Sequence, residues 1–318
     1  MSDKTATAKA KKPVGRNEMS KFQWTLREMR VNKAAYIMIA PFFILFFIFT
    51  VLPVLLSLFF SFTLFNMLEA PEFVFMDNYI RLLLEDDIFL LSVKNTVFFA
   101  AITGPCSYLM SLMFAWFINE LTPKIRAVIT LIFYAPSIAG NVYLIWTILF
   151  TSDSHGLVNG WLMEMGVIST PIAFFQDPDY IMPLVIVVAL WTSLGTSFLS
   201  FIAGFQTVDR SLYEAAAVDG VKNRWQELWF VTLPYMRPQM MFGAILAITG
   251  AFGFGGIITG LVGFPSPDYC AHTMMHHLAD YGNTRFEMGY ASAIATLLFI
   301  MMIGCNAAIR KMLSKVGQ

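Results

Sequence analysis

Six stretches of the chain, residues 34–68, 95–119, 127–152, 180–208, 238–267 and 288–309, contain no Asp, Glu, Lys, Arg or His. Each is longer than the ~20 residues that carry an α-helix across ~30 Å of hydrocarbon at ~1.5 Å per residue. In lipid every backbone N–H and C=O must find its partner within the structure, so a single run of this kind folds as a spanning helix. Composition points the same way: 57% of the 318 residues are hydrophobic and 13% charged, well away from soluble usage. The expected fold is an all-α membrane protein with six transmembrane helices. Residues 34–311 form its one domain, between a basic segment at 1–33 and a tail at 312–318.

The 21 basic and 21 acidic residues cancel in net charge, but they are not spread evenly. With both termini cytoplasmic, only Arg81, Lys94 and Arg285 among the basic residues fall outside, while the acidic run Glu85, Asp86, Asp87 faces out. Lys and Arg favour the cytoplasmic side, which places both termini and the segment 209–236 there. The N-terminal "KTATAKAKKPVGR" has the composition of a solvated arm beside an anionic leaflet, and nothing in the charge pattern points to nucleic acid. The first apolar stretch is too long for the core of a cleavable secretory signal. Cys106, Cys270 and Cys305 are scattered and suggest no disulfide framework. Pro41, Pro53, Pro105, Pro136 and Pro183 fall in or near the spans as kinks. The outer loops 69–94 and 153–179 are expected to hold short interfacial helices, one of them capped by Asp77 or Asn78 ahead of "YIRLLL".

A solute carrier driven by protons or sodium usually keeps an ionisable residue inside the membrane, and these spans have none. A phosphate-cradling Gly-x-x-x-x-Gly-Lys-Ser/Thr run is missing too. A conduit of this kind would draw its energy from a partner. His272 and His276 in "HTMMHH" stand at i and i+4, a zinc spacing, with His277 beside them, but Thr273 occupies the place of the glutamate of a zinc hydrolase. Surface or loop packing is the alternative for these histidines. Catalysis within the chain has little support.

The segment 209–236 breaks the apolar pattern. "SLYEAAAVDGVKNRWQELWFVTLP" is too short for a domain and too well patterned for a slack linker. Leu212, Tyr213, Ala216 and Ala217 share one helical face flanked by Glu214 and Asp219. Gly220 permits a left-handed turn. A second helix presents Trp225, Leu228 and Trp229, and Pro234 is expected to end it. The result is a helix-turn-helix shelf; an amphipathic loop lying on lipid is the alternative.

Glu214, Ala215, Ala216 and Gly220, followed by Val231, Thr232, Leu233 and Pro234, resemble the signature loop of permease subunits of ABC importers. The spacer from Gly220 to Val231 holds ten residues, one more than the common family pattern. "FVFMDNYIRLL", "APSIAGNVYLIWTILF", "LWTSLGTSFLSFIAGFQTV" and "EMGYASAIATLLF" extend the resemblance over most of residues 35–310, to the maltose and glycerol-phosphate type branch. The resemblance implies that the loop is a coupling helix seated on a cytoplasmic ATPase. Glu214 would contact the ATPase, Ala215 and Ala216 would seat the helix, and Asp219, Gly220, Leu233 and Pro234 would complete the loop. It further implies a second, homologous permease in a heterodimer, two ATPase subunits that bind ATP and Mg, an extracellular solute-binding protein, and a multi-pass location in the cytoplasmic (inner) membrane. This chain itself would hold no cofactor and no metal.

If the fourth span ends near Phe205, Thr196 lies ~14 Å and Trp191 ~21 Å up the helix, around the midplane where alternating-access machines hold cargo. Ser193, Thr196, Ser197, Ser200 and Gly204 would then form a small, partly polar stripe, for which close helix packing is the alternative. Indole stacks on the CH faces of sugars, so Trp191, with Thr192, Ser193 and Thr196, is a candidate wall of a sugar path. Family resemblance adds Gly250, Ala251 and Phe254, beside Ala247, from the fifth span. The implied cargo is a carbohydrate, an oligosaccharide in the first instance, with a polyol or glycerol phosphate as alternative. A membrane anchor or sensor subunit without transport is the rival from another class.

Overall fold

The computed structural model describes residues 21–313. Residues 1–20 and 314–318, and with them most of the basic N-terminal segment and of the tail, lie outside the described residues. The chain divides into compact units at 1–56 and 57–318. In the first, α1 (Lys21–Val31) is followed by α2 (Lys33–Phe46) and a π turn (Phe47–Val51), and α3 (Leu52–Phe60) begins. Pro41 lies inside α2. No described side chain from Lys33 to Phe60 is buried.

The second unit opens on a two-stranded antiparallel ribbon, β1 (Thr63–Leu64) with β2 (Glu72–Phe73), in the register Thr63 to Phe73. A short helix, α4 (Asp77–Ile80), comes next, followed by a π turn at Arg81–Glu85. Asn78, expected as a possible cap, is buried inside α4, and its amide donates to the carbonyls of Ser61 and Thr63 at 3.0 and 2.9 Å. Asp77 is in the first turn, so neither residue caps. These two long-range bonds compete successfully for the Asn78 side chain.

The longest helix, α5 (Asp87–Asn119), starts where Asp86 accepts from Phe89 N at 2.8 Å. Its buried Ser92, Thr96, Thr103 and Ser107 donate to carbonyls three or four residues back, which satisfies hydroxyls that no water reaches. Then follow α6 (Pro123–Ile138), a 3-10 turn (Asn141–Leu144), α7 (Ile145–Leu149), α8 (Leu157–Glu164), α9 (Pro178–Thr192) and α10 (Thr196–Thr207). The shelf consists of α11 (Arg210–Val218), α12 (Arg224–Glu227), a π turn (Leu228–Thr232) and α13 (Leu233–Tyr235). The chain closes with α14 (Arg237–Ala251), α15 (Gly255–Val262), α16 (Met274–Ala279), a π turn (Asp280–Thr284) and α17 (Met288–Leu313). Helices α5, α10 and α14 pack mutually at the centre. Gly243 allows the closest approach there: a Cβ on it would sit 2.5 Å from the buried ring of Phe201.

Among the described residues three helices, Lys33–Phe60, Asp87–Asn119 and Met288–Met312, are long and apolar enough to cross a membrane, or up to six if each of three bent pairs counts as one span. The bends correct the reading of continuous helices over 127–152, 180–208 and 238–267. The first pair turns by 84° between Ile138 and Asn141, the second by 42° between Thr192 and Thr196, the third by 41° between Ala251 and Gly255. Gly140 takes φ +57°, a conformation open to glycine at little cost, and Gly195 takes φ −108°, ψ −133°. Pro105, Pro136 and Pro183 all lie inside helices, so the breaks follow glycine rather than proline.

Candidate functional site

Local capping draws the shelf. Asp209 accepts from Ser211 N at 2.9 Å and starts α11. At its end Gly220 N donates to Ala217 O at 3.3 Å and Val221 N to Ala216 O at 3.0 Å, with Gly220 at φ +96°. This is the paired bond of a glycine-terminated helix, and a side chain at Gly220 would strain it. Asn223 accepts from Gln226 N at 2.9 Å and starts the second helix. Pro234 does not end that helix, because the chain stays helical to Tyr235 and breaks at Met236 (φ −81°, ψ 7°). The π turn ahead of Pro234 widens the path and gives room to a ring that would clash four residues back in a regular helix.

The two shelf helices differ in burial. On α11 only Ala216 is buried and Tyr213 half-buried, while Leu212, Glu214, Ala215, Ala217 and Asp219 are exposed. The expected face of Leu212, Tyr213, Ala216 and Ala217 therefore splits, with Tyr213 and Ala216 turned in. Glu214 meets Arg210 at 3.5 Å, an exposed pair of little energetic weight. In the second helix Leu228 and Leu233 are buried in one cluster with Leu112, Phe198, Phe201 and Phe205. Trp225 and Trp229 are exposed, so that expected apolar face splits as well, although the Trp225 ring lies 4.7 Å from Trp116. Arg224 joins the shelf to the end of α5 through Glu120 at 3.2 Å, and pairs with Glu227 at 2.7 Å. Tyr213 Oη lies 2.9 Å from Thr232 Oγ1. A pocket of about 440 Å³ opens between these parts, with Glu120, Arg126, Tyr213, Arg224 and Glu227 on its walls.

The candidate path residues gather around the helix breaks. Trp191 and Thr192 end α9, Ser193 lies in the break, and Thr196 begins α10, so Ser193 and Gly204 do not share one helical stripe. The Ser137 side chain approaches Gly195 to about 3.5 Å of a built Cβ, which brings the breaks after α6 and α9 together. Trp191 stands edge-to-face on Trp146 at 5.7 Å. Both line an apolar cleft of about 470 Å³ with Phe114, Phe133, Pro136 and Leu194. The Thr192 and Ser193 hydroxyls donate to helix carbonyls and keep acceptor lone pairs. Thr196 and Gly250 are exposed, Ala251 is buried, and Phe254 packs edge-to-face on Phe99 at 5.7 Å.

At the other end of α5 the histidines have partners that their spacing does not disclose. Asp86 accepts from His277 Nε2 at 2.9 Å and from the Tyr290 hydroxyl at 2.8 Å. With its proton on Nε2, neutral His277 accepts at Nδ1 from His272 Nε2 at 3.2 Å, and His272 Nδ1 is left buried without a partner. His276 accepts from Thr273 N at 3.2 Å and reaches Thr259 Oγ1 at 3.1 Å. The histidines are buried, which corrects the surface alternative in favour of packing; among the described residues no group of three or more His, Cys, Asp or Glu is placed to hold a metal ion. Burial pushes His272 down to about 4, aided by its two neighbouring histidines, and lowers His276 and His277 as well. Burial alone would raise the Asp86 carboxyl, but the bonds from Phe89 N, Tyr290 and His277 outweigh it and hold the group below its ordinary value.

No family model matches the chain. It is 32% identical over 277 residues to the probable ABC transporter permease protein YesP of Bacillus subtilis strain 168, covering 85% of this chain and 87% of that one. It is 27% identical over 272 residues to the arabinooligosaccharides transport system permease protein AraP of the same organism, covering 85% of each. Its fold matches a chain in the crystal structure of a bacterial alginate ABC transporter in complex with an alginate pentasaccharide-bound periplasmic protein, with a TM-score of 0.74 at 22% identity, over 91% of this chain and 96% of that one. The chain belongs to the family of ABC transporter permease proteins, and it is a multi-pass membrane protein.

Proposed function

We propose that the chain is one of two homologous permease subunits in an ATP-driven importer that moves a sugar, an oligosaccharide in the first instance, across the cytoplasmic membrane by alternating access. It has six spans, with both termini and the shelf on the cytoplasmic side. ATP and Mg belong to two ATPase subunits, and a solute-binding protein delivers cargo from outside. The observation that carries this reading is the shelf: a capped helix with Glu214, Ala215 and Asp219 exposed, mounted on a second helix whose Leu228 and Leu233 are buried against α5 and α10. Such a part receives a push at its surface and hands it to the bundle. Ala216, which the resemblance would seat on the ATPase with Ala215, is buried within the chain and instead seats α11 on its mount, which leaves exposed Ala215 for the ATPase. Gly220, Leu233 and Pro234 shape the bend and the return.

The oligosaccharide assignment draws on the cargo named for AraP and for the alginate transporter. Trp191, Thr192, Ser193 and Thr196 line the path, with Gly250, Ala251 and Phe254 from the end of α14 and the break that follows it. Irregular backbone at membrane depth is tolerated where it borders protein or a water-filled cavity, which suits the breaks beside Trp191 to such a path. The cleft at Trp191 has no Arg or Lys on its walls, which disfavours a phosphate ester. In the assembled transporter, Glu214→Lys or Gly220→Pro is expected to abolish substrate-stimulated ATP hydrolysis while membrane insertion persists. Unchanged stimulation in either variant rejects the coupling role.

A further inference from the structure

The two shelf helices are joined by a part-buried pair of side chains. Thr232 is 3% exposed and ends the π turn Leu228–Thr232. Its hydroxyl donates to Glu227 O at 3.2 Å, five residues back. A threonine in a regular helix makes this bond three or four residues back; the wider π turn brings the fifth carbonyl within reach. With its only proton so committed, Thr232 Oγ1 accepts from the Tyr213 hydroxyl at 2.9 Å. Tyr213 stands one turn before Ala216, so these two residues anchor α11 and leave Glu214 and Ala215 facing away. A π turn absorbs one extra residue, which matches the shelf spacer being one longer than the common pattern. Removing that residue would rotate Thr232 by ~100° away from Tyr213.

We propose that Tyr213 and Thr232 are positioning residues for transport: their bond, set up by the π turn, fixes the angle of α11 on the second shelf helix. Motion of α11 then passes into Leu228 and Leu233 and on to α5 and α10. The proposal rests on the coupling role of the shelf, and its test separates the two ideas. In the complete transporter with its ATPases and binding protein, solute taken up per ATP is measured for a set of variants. Tyr213→Phe and Thr232→Val are each expected to lower the ratio roughly three- to tenfold, the range over which one neutral hydrogen bond biases two arrangements. Thr232→Ser, which keeps the hydroxyl, is expected to stay within about twofold of the parent, and the double variant to be no worse than either single one. A Tyr213→Phe ratio equal to the parent's, or single effects that multiply in the double variant, overturns the joint. Glu214→Lys is the reference: if it couples normally the coupling role falls and the joint with it, whereas its failure beside a normal Tyr213→Phe removes the joint alone.

Discussion

The shelf and the histidine cluster lie at opposite ends of α5, a helix of 33 residues and so ~50 Å long, and they treat polar residues in opposite ways. On α11, Arg210, Glu214 and Asp219 are exposed. At the far end the side chains of His277 and Asp86 are 4% and 11% exposed and bonded to each other, to His272 and to Tyr290. Exposed charge on a firmly mounted helix costs the fold little and is available to a partner. Buried charge must be matched within the chain, and once matched it clamps the segment 272–290 to the start of α5. Substitutions of polar residues should therefore separate folding from coupling according to the end they touch.

The largest effect on stability is expected from Asp86→Ala, which strips a cap and leaves the His277 and Tyr290 donors buried without an acceptor. Unfolding in detergent should show a loss of about 3–5 kcal/mol; a loss near zero would mean that the cluster clamps nothing. Leu233→Ala comes next, at about 2–5 kcal/mol from a buried leucine, and a shelf that merely lay on lipid would show far less. Acid gives a graded test. The unfolded histidines take up protons near their ordinary 6.5, while folded His272 resists until about 4. Stability should be full above 6.5, fall as pH drops through that window, and be lowest below it. The lowered Asp86 carboxyl adds its own loss only below the ordinary value of 3.8. His272→Gln should flatten the slope between 6.5 and 4; an unchanged slope would place the titration elsewhere. Smallest of all, Glu214→Lys should alter stability by no more than about 0.5 kcal/mol, as exposed substitutions do, despite its expected loss of coupling.

The long apolar helices were visible in the sequence because a charge in hydrocarbon is costly, so the absence of charge over long windows is a strong signal. Among the described residues three of them are long enough to cross a membrane, or up to six if each bent pair counts as one. The turn at Gly220 was visible too, since its capping bonds run over five residues. The breaks at Gly140 and Gly195 were not, because a glycine within an apolar run marks close packing as readily as a bend. The histidine spacing suggested one face of one helix, whereas the partner that defines the cluster, Asp86, is 191 residues from His277. Tyr213 and Thr232 are 19 residues apart, and their contact depends on a π turn that no periodicity announces.

Whether the exposed face of α11 receives force from a nucleotide-driven partner is decided by a photo-crosslinking amino acid placed at Ala215 in membranes holding the complete transporter. An adduct with the ATPase subunit is expected, with a yield that changes between ATP-bound and nucleotide-free states. Adducts with lipid alone, or reaction of this position with an impermeant label applied outside intact cells, would contradict the coupling role.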